Sequence, residues 1–470
     1  AFSLQFKDYF MSYFTQITSF FWGKMSKDEL KRFGILSATY FIWIGAYRLI
    51  RVMKDPVFST LVGYRYQPFA KMVSLVCIIC VLLFYNKLVD LLKRDILFYC
   101  IATFFGFGFM GLGYLVANPN ILTAKSGSIL GNLFSFIPGK FLGWFAYCFI
   151  EAYGSIMPAL FLSIVASTMS TELAKKGYGM LFTFSQLGLI LGTWTVATHV
   201  KTLGSGALLA IGGTSICIMP FLLRWYIKHA PITIAEKIEK SEHKQEKTGM
   251  LEGLKILLSR PYVAGLLVIT TMYEIIGTIV EFQMGLCAIQ IYPVNIDGGA
   301  GFAWLKAMNG MTIGFLSLIF ALLGTSFLMR KFGLKFCIIS YPTIIGITVA
   351  SIFAFYISGA SLYFLMWAFF VAMVIFKGLS YTLNNPSKEV MYIPTSKDVK
   401  FKAKSWIDGF GCRTAKGAGA TVTGSLGGNF SYLLIFGTFV SLGLVAFWIF
   451  VAAFVGNKFN QLQKENKIIE

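Results

Sequence analysis

The chain has 470 residues, 56% of them hydrophobic and only 13% charged, with a formal net charge of +20 and a mean hydropathy of +0.70. Apolar runs of about 20 residues recur along its whole length, which excludes a soluble globular domain and identifies a polytopic α-helical membrane protein. The positive charge falls mainly in short loops between apolar runs, where cytoplasmic loops collect Lys and Arg, so it speaks for a lipid bilayer and against nucleic acid.

Residues 1–32 mix aromatic residues with Lys7, Lys24, Lys27, Lys31 and Arg32, the pattern of an interfacial amphipathic segment. The first six predicted spans lie near 33–53, 68–90, 96–117, 139–167, 178–200 and 204–227. Glycines at 106, 108, 111 and 113 in the third predict close helix packing. Residues 229–258 include the charged run Glu236 to Lys247, which no bilayer span holds, and form a linker. Six more spans follow near 261–284, 306–329, 336–357, 361–383, 404–425 and 430–455. The predicted organisation is therefore an N-terminal six-helix bundle (33–228), the linker, a C-terminal six-helix bundle (259–456) and a tail from 457 to 470.

The basic loops are 2–3, 4–5, 8–9, 10–11 and the linker, whereas Gln290 to Gly301 has no Lys or Arg. This bias places both termini in the cytoplasm. Two six-helix bundles joined by a charged linker predict a major-facilitator-like carrier that rocks about a midplane site, working as a monomer.

Four charged patches interrupt the apolar spans. In span one, Arg48, Arg51 and Lys54 share one broad face, and Asp55-Pro56 is expected to end that helix, which would let Lys54 reach the interface. Glu151 sits mid-span, beside Tyr153. Glu274 and Glu281 are seven residues apart on one face of span seven, with Tyr273 next to the first. The last patch runs from Lys377 through Lys388 and Asp408 to Arg413 and Lys416. A charge at bilayer depth costs roughly 2.5–3.5 kcal/mol or more, so such groups have partners or tasks. A cationic face inside the bundle points to an anionic cargo. Tyr47, Trp144, Tyr153 and Phe282 are candidates to stack a base, and Lys388, Lys397, Lys400, Lys402 and Lys404 read as loop and headgroup contacts.

At these residues the chain resembles the nucleotide transporter family of plastids and obligate intracellular bacteria, the ATP/ADP translocase type. The family's Leu-Arg-x-x-Lys-Asp matches Ile50-Arg51-Val52-Met53-Lys54-Asp55, and its Ala-Glu-x-Trp-Gly resembles Ile150-Glu151-Ala152-Tyr153-Gly154. Its Tyr followed eight positions on by Glu matches Tyr273 and Glu281, and its long motif matches Lys377-Gly378, Lys388-Glu389, Met391-Tyr392-Ile393-Pro394, Asp408 and Arg413 to Gly417. The resemblance implies exchange of ATP and ADP, with Lys54, Glu151, Glu281 and Lys416 required for transport and Arg51, Asp408 and Arg413 beside them. Arg48, Glu274, Tyr153, Tyr273 and Lys377 form a wider candidate set. It also implies a bacterial cytoplasmic membrane or a plastid envelope, and phosphate or protons as co-substrates.

Two alternatives within transport stay open. Glu274 adds a protonatable group, which suits proton-coupled nucleoside triphosphate uptake, and another phosphorylated anion such as NAD meets the same charge requirement. An enzyme on phosphorylated lipids is the remaining class. No phosphate loop ending Gly-Lys-Ser/Thr occurs, so ATP is cargo rather than fuel. The eight Cys and His199, His229 and His243 form no metal constellation, and no cofactor is expected.

Overall fold

The computed structural model describes residues 26–121, 137–168, 171–229, 259–323, 331–396, 403–426 and 429–465, with positions 257 and 399. Most of the predicted N-terminal segment and linker, together with Lys397, Lys400 and Lys402, lies outside the described residues.

Helix α1 (Lys27–Leu61) begins inside the segment expected to lie at the interface. Ser26 and Glu29 explain the start: Ser26 Oγ accepts from the Glu29 N–H at 3.2 Å, and Glu29 Oε2 accepts from the Ser26 N–H at 2.7 Å. This reciprocal capping box satisfies two N–H groups that the first helical turn leaves open. The expected stop at Asp55-Pro56 does not occur. Pro56 sits within α1, which continues to Leu61. Proline removes one N–H without forbidding continuation when surrounding helices supply support, as is common in membranes.

A 3₁₀ turn (Tyr64–Tyr66) leads into α2 (Gln67–Leu91), then α3 (Arg94–Ala117) and α4 (Phe141–Thr168). The continuous helical stretch Thr171–His229 breaks at Gly204, whose φ of 74° requires glycine, so its two arms are α5 and α6. The second half comprises α7 (Pro261–Ile291), α8 (Ala300–Leu323), α9 (Leu334–Ile357) and α10 (Leu362–Leu379). A π-helical turn (Ser380–Asn384) carries α10 into a short helix, Asn385–Met391. Helix α11 is composite, from Lys404–Trp406 through a π turn (Ile407–Gly411) to Cys412–Ser425. Helix α12 (Phe430–Glu465) extends into the stretch expected to be tail.

Among the described residues, 10 helical segments are long and apolar enough to cross a membrane. One of them is the 50-residue stretch Gly179–Lys228 that turns at Gly204. The composite α11 is not one of them: its longest α-helical piece, Cys412–Ser425, has 14 residues and carries Arg413 and Lys416.

Buried side chains fall into two large cores and a small cluster of Phe58, Ala70 and Tyr147. One large core gathers residues of α1 and α3 to α6 with Ala300, Ala303 and Ala307 of α8, flanked by α2, and the other gathers α7 to α12 with Tyr64. The halves therefore interlock at α8 and at the α1–α2 hairpin. The glycine-rich run in α3 does pack closely: a Cβ at Gly113 would lie 2.5 Å from the Gly206 carbonyl, and one at Gly106 would lie 3.1 Å from that of Gly213. Glycine pairs seven residues apart on each helix let α3 and α6 touch backbone to backbone.

Candidate functional site

A cavity of about 570 Å³ lies between the halves, lined by α1, α2, α4 and α5 from one and α7, α8, α10 and α11 from the other. The same four positions of each bundle thus face it, and this size suits a small-molecule ligand. Its wall carries nine cations, Arg48, Arg51, Lys54, Lys71, Lys306, Lys377, Lys388, Arg413 and Lys416, against four carboxylates, Asp55, Glu151, Glu274 and Glu281.

Helical periodicity explains the convergence. Tyr47, Arg51 and Lys54 on α1, and Glu274, Gly277, Thr278 and Glu281 on α7, recur at three- and four-residue spacing along one stripe. Lys377, Tyr381 and Asn384, spaced i, i+4 and i+7 through the end of α10 and its π turn, also reach the cavity.

Lys54 is 8% exposed and sits against Glu151, with Nζ donating to Oε1 at 2.5 Å. It also lies 4.3 Å from the centre of the Tyr147 ring. The alternative in which Lys54 reaches the interface gives way to a buried ion pair, because α1 does not end at Asp55. Arg51 donates to the Tyr47 hydroxyl, and Arg48 and Arg51 lie 5.9 and 5.6 Å from the Tyr47 ring centre. Lys416 lies 3.5 Å from Glu274, with its side chain half exposed. Among the described residues, Arg48, Arg51, Lys377, Lys388 and Arg413 have no carboxylate within ion-pair distance.

A second group closes one end. Lys306 Nζ lies 2.7 Å from Asp55 Oδ2 and 2.9 Å from Glu281 Oε1, and Lys71 approaches the other Glu281 oxygen at 3.8 Å. Gln67 Nε2 donates to Asp55 Oδ1 at 3.4 Å. Helix α2 packs beside Gly417 and Gly424 of α11 through Leu75 and Pro68. Beyond that contact Val76, Leu83 and Phe84 are 60%, 67% and 65% exposed. The opposite end continues into a second space lined by Phe182, Thr270, Tyr381, Lys388, Lys404 and Asp408.

Of the sequence candidates, Arg48, Arg51, Lys54, Glu151, Tyr273, Glu274, Glu281, Lys377, Arg413 and Lys416 all line the central cavity. Asp408 lies in the adjoining space instead. Tyr153 is fully buried among Phe105, Phe109 and Tyr47. Phe282 stacks on Tyr64, and Trp144 donates to the Pro138 carbonyl, so of the four aromatic candidates only Tyr47 faces the cavity. Lys388, expected in the loop, lines both spaces, and Lys404 pairs with Glu389 at 2.7 Å. The sequence reading does not single out Lys306 and Lys71, and it carries Asp55 only as the end of the Arg51–Asp55 motif. A lysine near the start of an apolar span was the only signal for the first two.

The family model described as TLC ATP/ADP transporter matches residues 8–459. ADP,ATP carrier protein 1 of Rickettsia prowazekii (strain Madrid E) is 24% identical over 503 aligned positions, covering 97% of this chain and 98% of that protein. The chloroplastic ADP,ATP carrier protein 2 of Arabidopsis thaliana is 25% identical over 487 positions, covering 93% of this chain and 76% of the relative. Among solved structures, a bacterial homologue of the iron transporter ferroportin in an inward-facing state superposes with a TM-score of 0.59 at 12% identity, covering 92% of this chain and 100% of that one. A point mutant of the nucleoside transporter NupG gives 0.56 at 12% identity, covering 91% and 100%. These two likenesses concern the fold.

Proposed function

The chain belongs to the TLC ATP/ADP transporter family, and on that premise we propose that the cavity holds the phosphates of an exchanging nucleotide between Arg48, Arg51 and Lys54 of one half and Lys377, Arg413 and Lys416 of the other. The protein is a multi-pass membrane transporter that exchanges nucleotides, not an enzyme. The observation that carries the site is the excess of five positive charges on a wall built from the same four helices of each half.

A nucleoside triphosphate brings about four negative charges to a site with little water. Arg offsets that cost with bidentate hydrogen bonds and Lys with a movable point charge. Arg48, Arg51, Lys377 and Arg413, which have no carboxylate partner among the described residues, meet the phosphates first. Lys54 and Lys416, held by Glu151 and Glu274 in the empty carrier, exchange a carboxylate for a phosphate when cargo arrives. Because the cations come from both halves, a bound polyphosphate draws the halves together. Tyr47, Tyr273 and Tyr381 are the aromatic side chains within reach of the base.

Two buried cores support a division into an N-terminal bundle (33–228) and a C-terminal bundle (259–456) that rock as units. The basic loops support cytoplasmic termini in the cytoplasmic membrane of a bacterium, with the chain acting as a monomer. On that sidedness the closed end faces outward and the Lys388 end opens to the cytoplasm. The test is uptake of radiolabelled ATP into proteoliposomes, empty or loaded with ADP, with and without an inward proton gradient. Uptake that needs internal ADP supports exchange; proton-driven uptake into empty vesicles overturns it. Failure of a nucleotide panel to compete overturns the cargo.

A further inference from the structure

Lys306 belongs to none of the sequence motifs, yet among the described residues it is the ammonium that touches carboxylates from both halves. It binds Asp55 of α1 at 2.7 Å and Glu281 of α7 at 2.9 Å, and it is only 8% exposed. Just beyond this node, the α1–α2 hairpin pushes Tyr64 into the core of the second half. The Tyr64 ring stacks on Phe282 at 5.2 Å and meets Phe302 edge-on at 5.1 Å. Gly285 makes room for it, since a Cβ there would lie 2.1 Å from the phenol oxygen. Thr60 Oγ1 donates to the Gly298 carbonyl at 3.3 Å. Ion pair, aromatic plug and backbone contact together seal this end.

We propose that Lys306 is a positioning residue of the transport cycle: by tying Asp55 to Glu281 it latches this end shut while the cavity is empty, and cargo phosphates release it by competing for Lys306 and Lys71. A buried pair broken without replacement leaves charges uncompensated, so the empty carrier stays latched. A nucleotide supplies the replacement charge from within the same cavity, and it shifts the equilibrium only through this differential interaction. The latch thereby makes opening of this end depend on cargo, so a carrier that is empty on the other side does not cross over, as an exchanger requires. The inference rests on the exchange function proposed above.

The decisive variant is Asp55→Asn, which removes the first-half carboxylate and leaves the Lys306–Glu281 pair within the second half. The reporter is Ala303→Cys, fully buried against the first half's core and reached by a membrane-impermeant maleimide only when this end opens. Labelling is read in proteoliposomes against the same protein without the reporter, which subtracts native cysteines. With the latch intact, labelling is slow without nucleotide and faster with ATP. Asp55→Asn and Lys306→Gln each raise nucleotide-free labelling about tenfold, and preloaded radiolabelled ATP escapes into nucleotide-free medium. Lys306→Arg restores both to the parent values. Unchanged labelling in Asp55→Asn and Lys306→Gln overturns the latch. So does loss of ATP-stimulated labelling in Lys306→Gln with no rise in its basal rate, which makes Lys306 a cargo ligand. A parent protein that moves no nucleotide fails the exchange function instead, and nucleotide-free labelling still judges the latch.

Discussion

At the sealed end of the cavity every charge has its opposite: Lys306 lies between Asp55 and Glu281, with Lys71 beyond. In the middle, Arg48, Arg51, Lys377 and Arg413 face open space without a carboxylate among the described residues. The two regions use the same side-chain chemistry for different ends. Satisfied pairs across the halves hold a conformation, whereas unsatisfied cations raise the local potential and attract an anion. Lys54–Glu151 stands between these regimes, a buried pair contained in the first half that opens to the same cavity.

The comparison is broken most severely at that intermediate pair. Lys54→Gln leaves Glu151 buried without its partner, a loss of roughly 3–5 kcal/mol, and exchange is expected to fall by two orders of magnitude or more. Combining Lys54→Gln with Glu151→Gln is expected to restore thermal stability, measured by melting in detergent, but not exchange in proteoliposomes. Recovery of exchange in the double variant would reduce the pair to a structural role.

A subtler test separates fork from point charge in the unpaired region. Arg51→Lys keeps the charge and loses bidentate geometry, so ATP affinity is expected to drop roughly 10- to 100-fold, as for loss of a charged hydrogen bond of roughly 1.5–3 kcal/mol. The fall should be larger for ATP than for AMP in competition assays, since only the triphosphate chain uses the full fork. Equal losses for both nucleotides would move Arg51 away from the phosphates.

Smaller still is Tyr47→Phe, which removes the hydroxyl that accepts from Arg51. About 1 kcal/mol is at stake, expected as a several-fold rise in KM with the maximal rate retained. Near zero lies Lys404→Ala. Its partner Glu389 has a side chain that is 65% exposed, and such solvated pairs contribute roughly 0–1 kcal/mol. Exchange kinetics should stay within about twofold of the parent, and a large loss would bring the adjoining space into the transport path.

Much of the central site was readable along the chain. Charges inside apolar spans stand out because the bilayer penalises them, and Arg51, Lys54, Glu151 and Glu281 were exposed by that contrast. Lys306 and Lys71 escaped it, since each lies within about two turns of the start of its helix, where a lysine reads as an interfacial anchor. Asp408 shares a motif with Arg413 but lines the adjoining space, a placement that motif membership does not decide. The continuation of α1 through Pro56 was equally hidden, because the helices that support the interrupted backbone are distant in sequence.

Hydropathy, loop charge and motif spacing were sufficient by themselves for a two-bundle membrane carrier with a cationic interior, because burying apolar runs in lipid and keeping charges out of it are local requirements of each segment. Only the tertiary structure decided which charges meet. Ion pairs such as Asp55–Lys306 join positions 251 residues apart. No periodicity carries that information, and it arises from the packing of one bundle against the other.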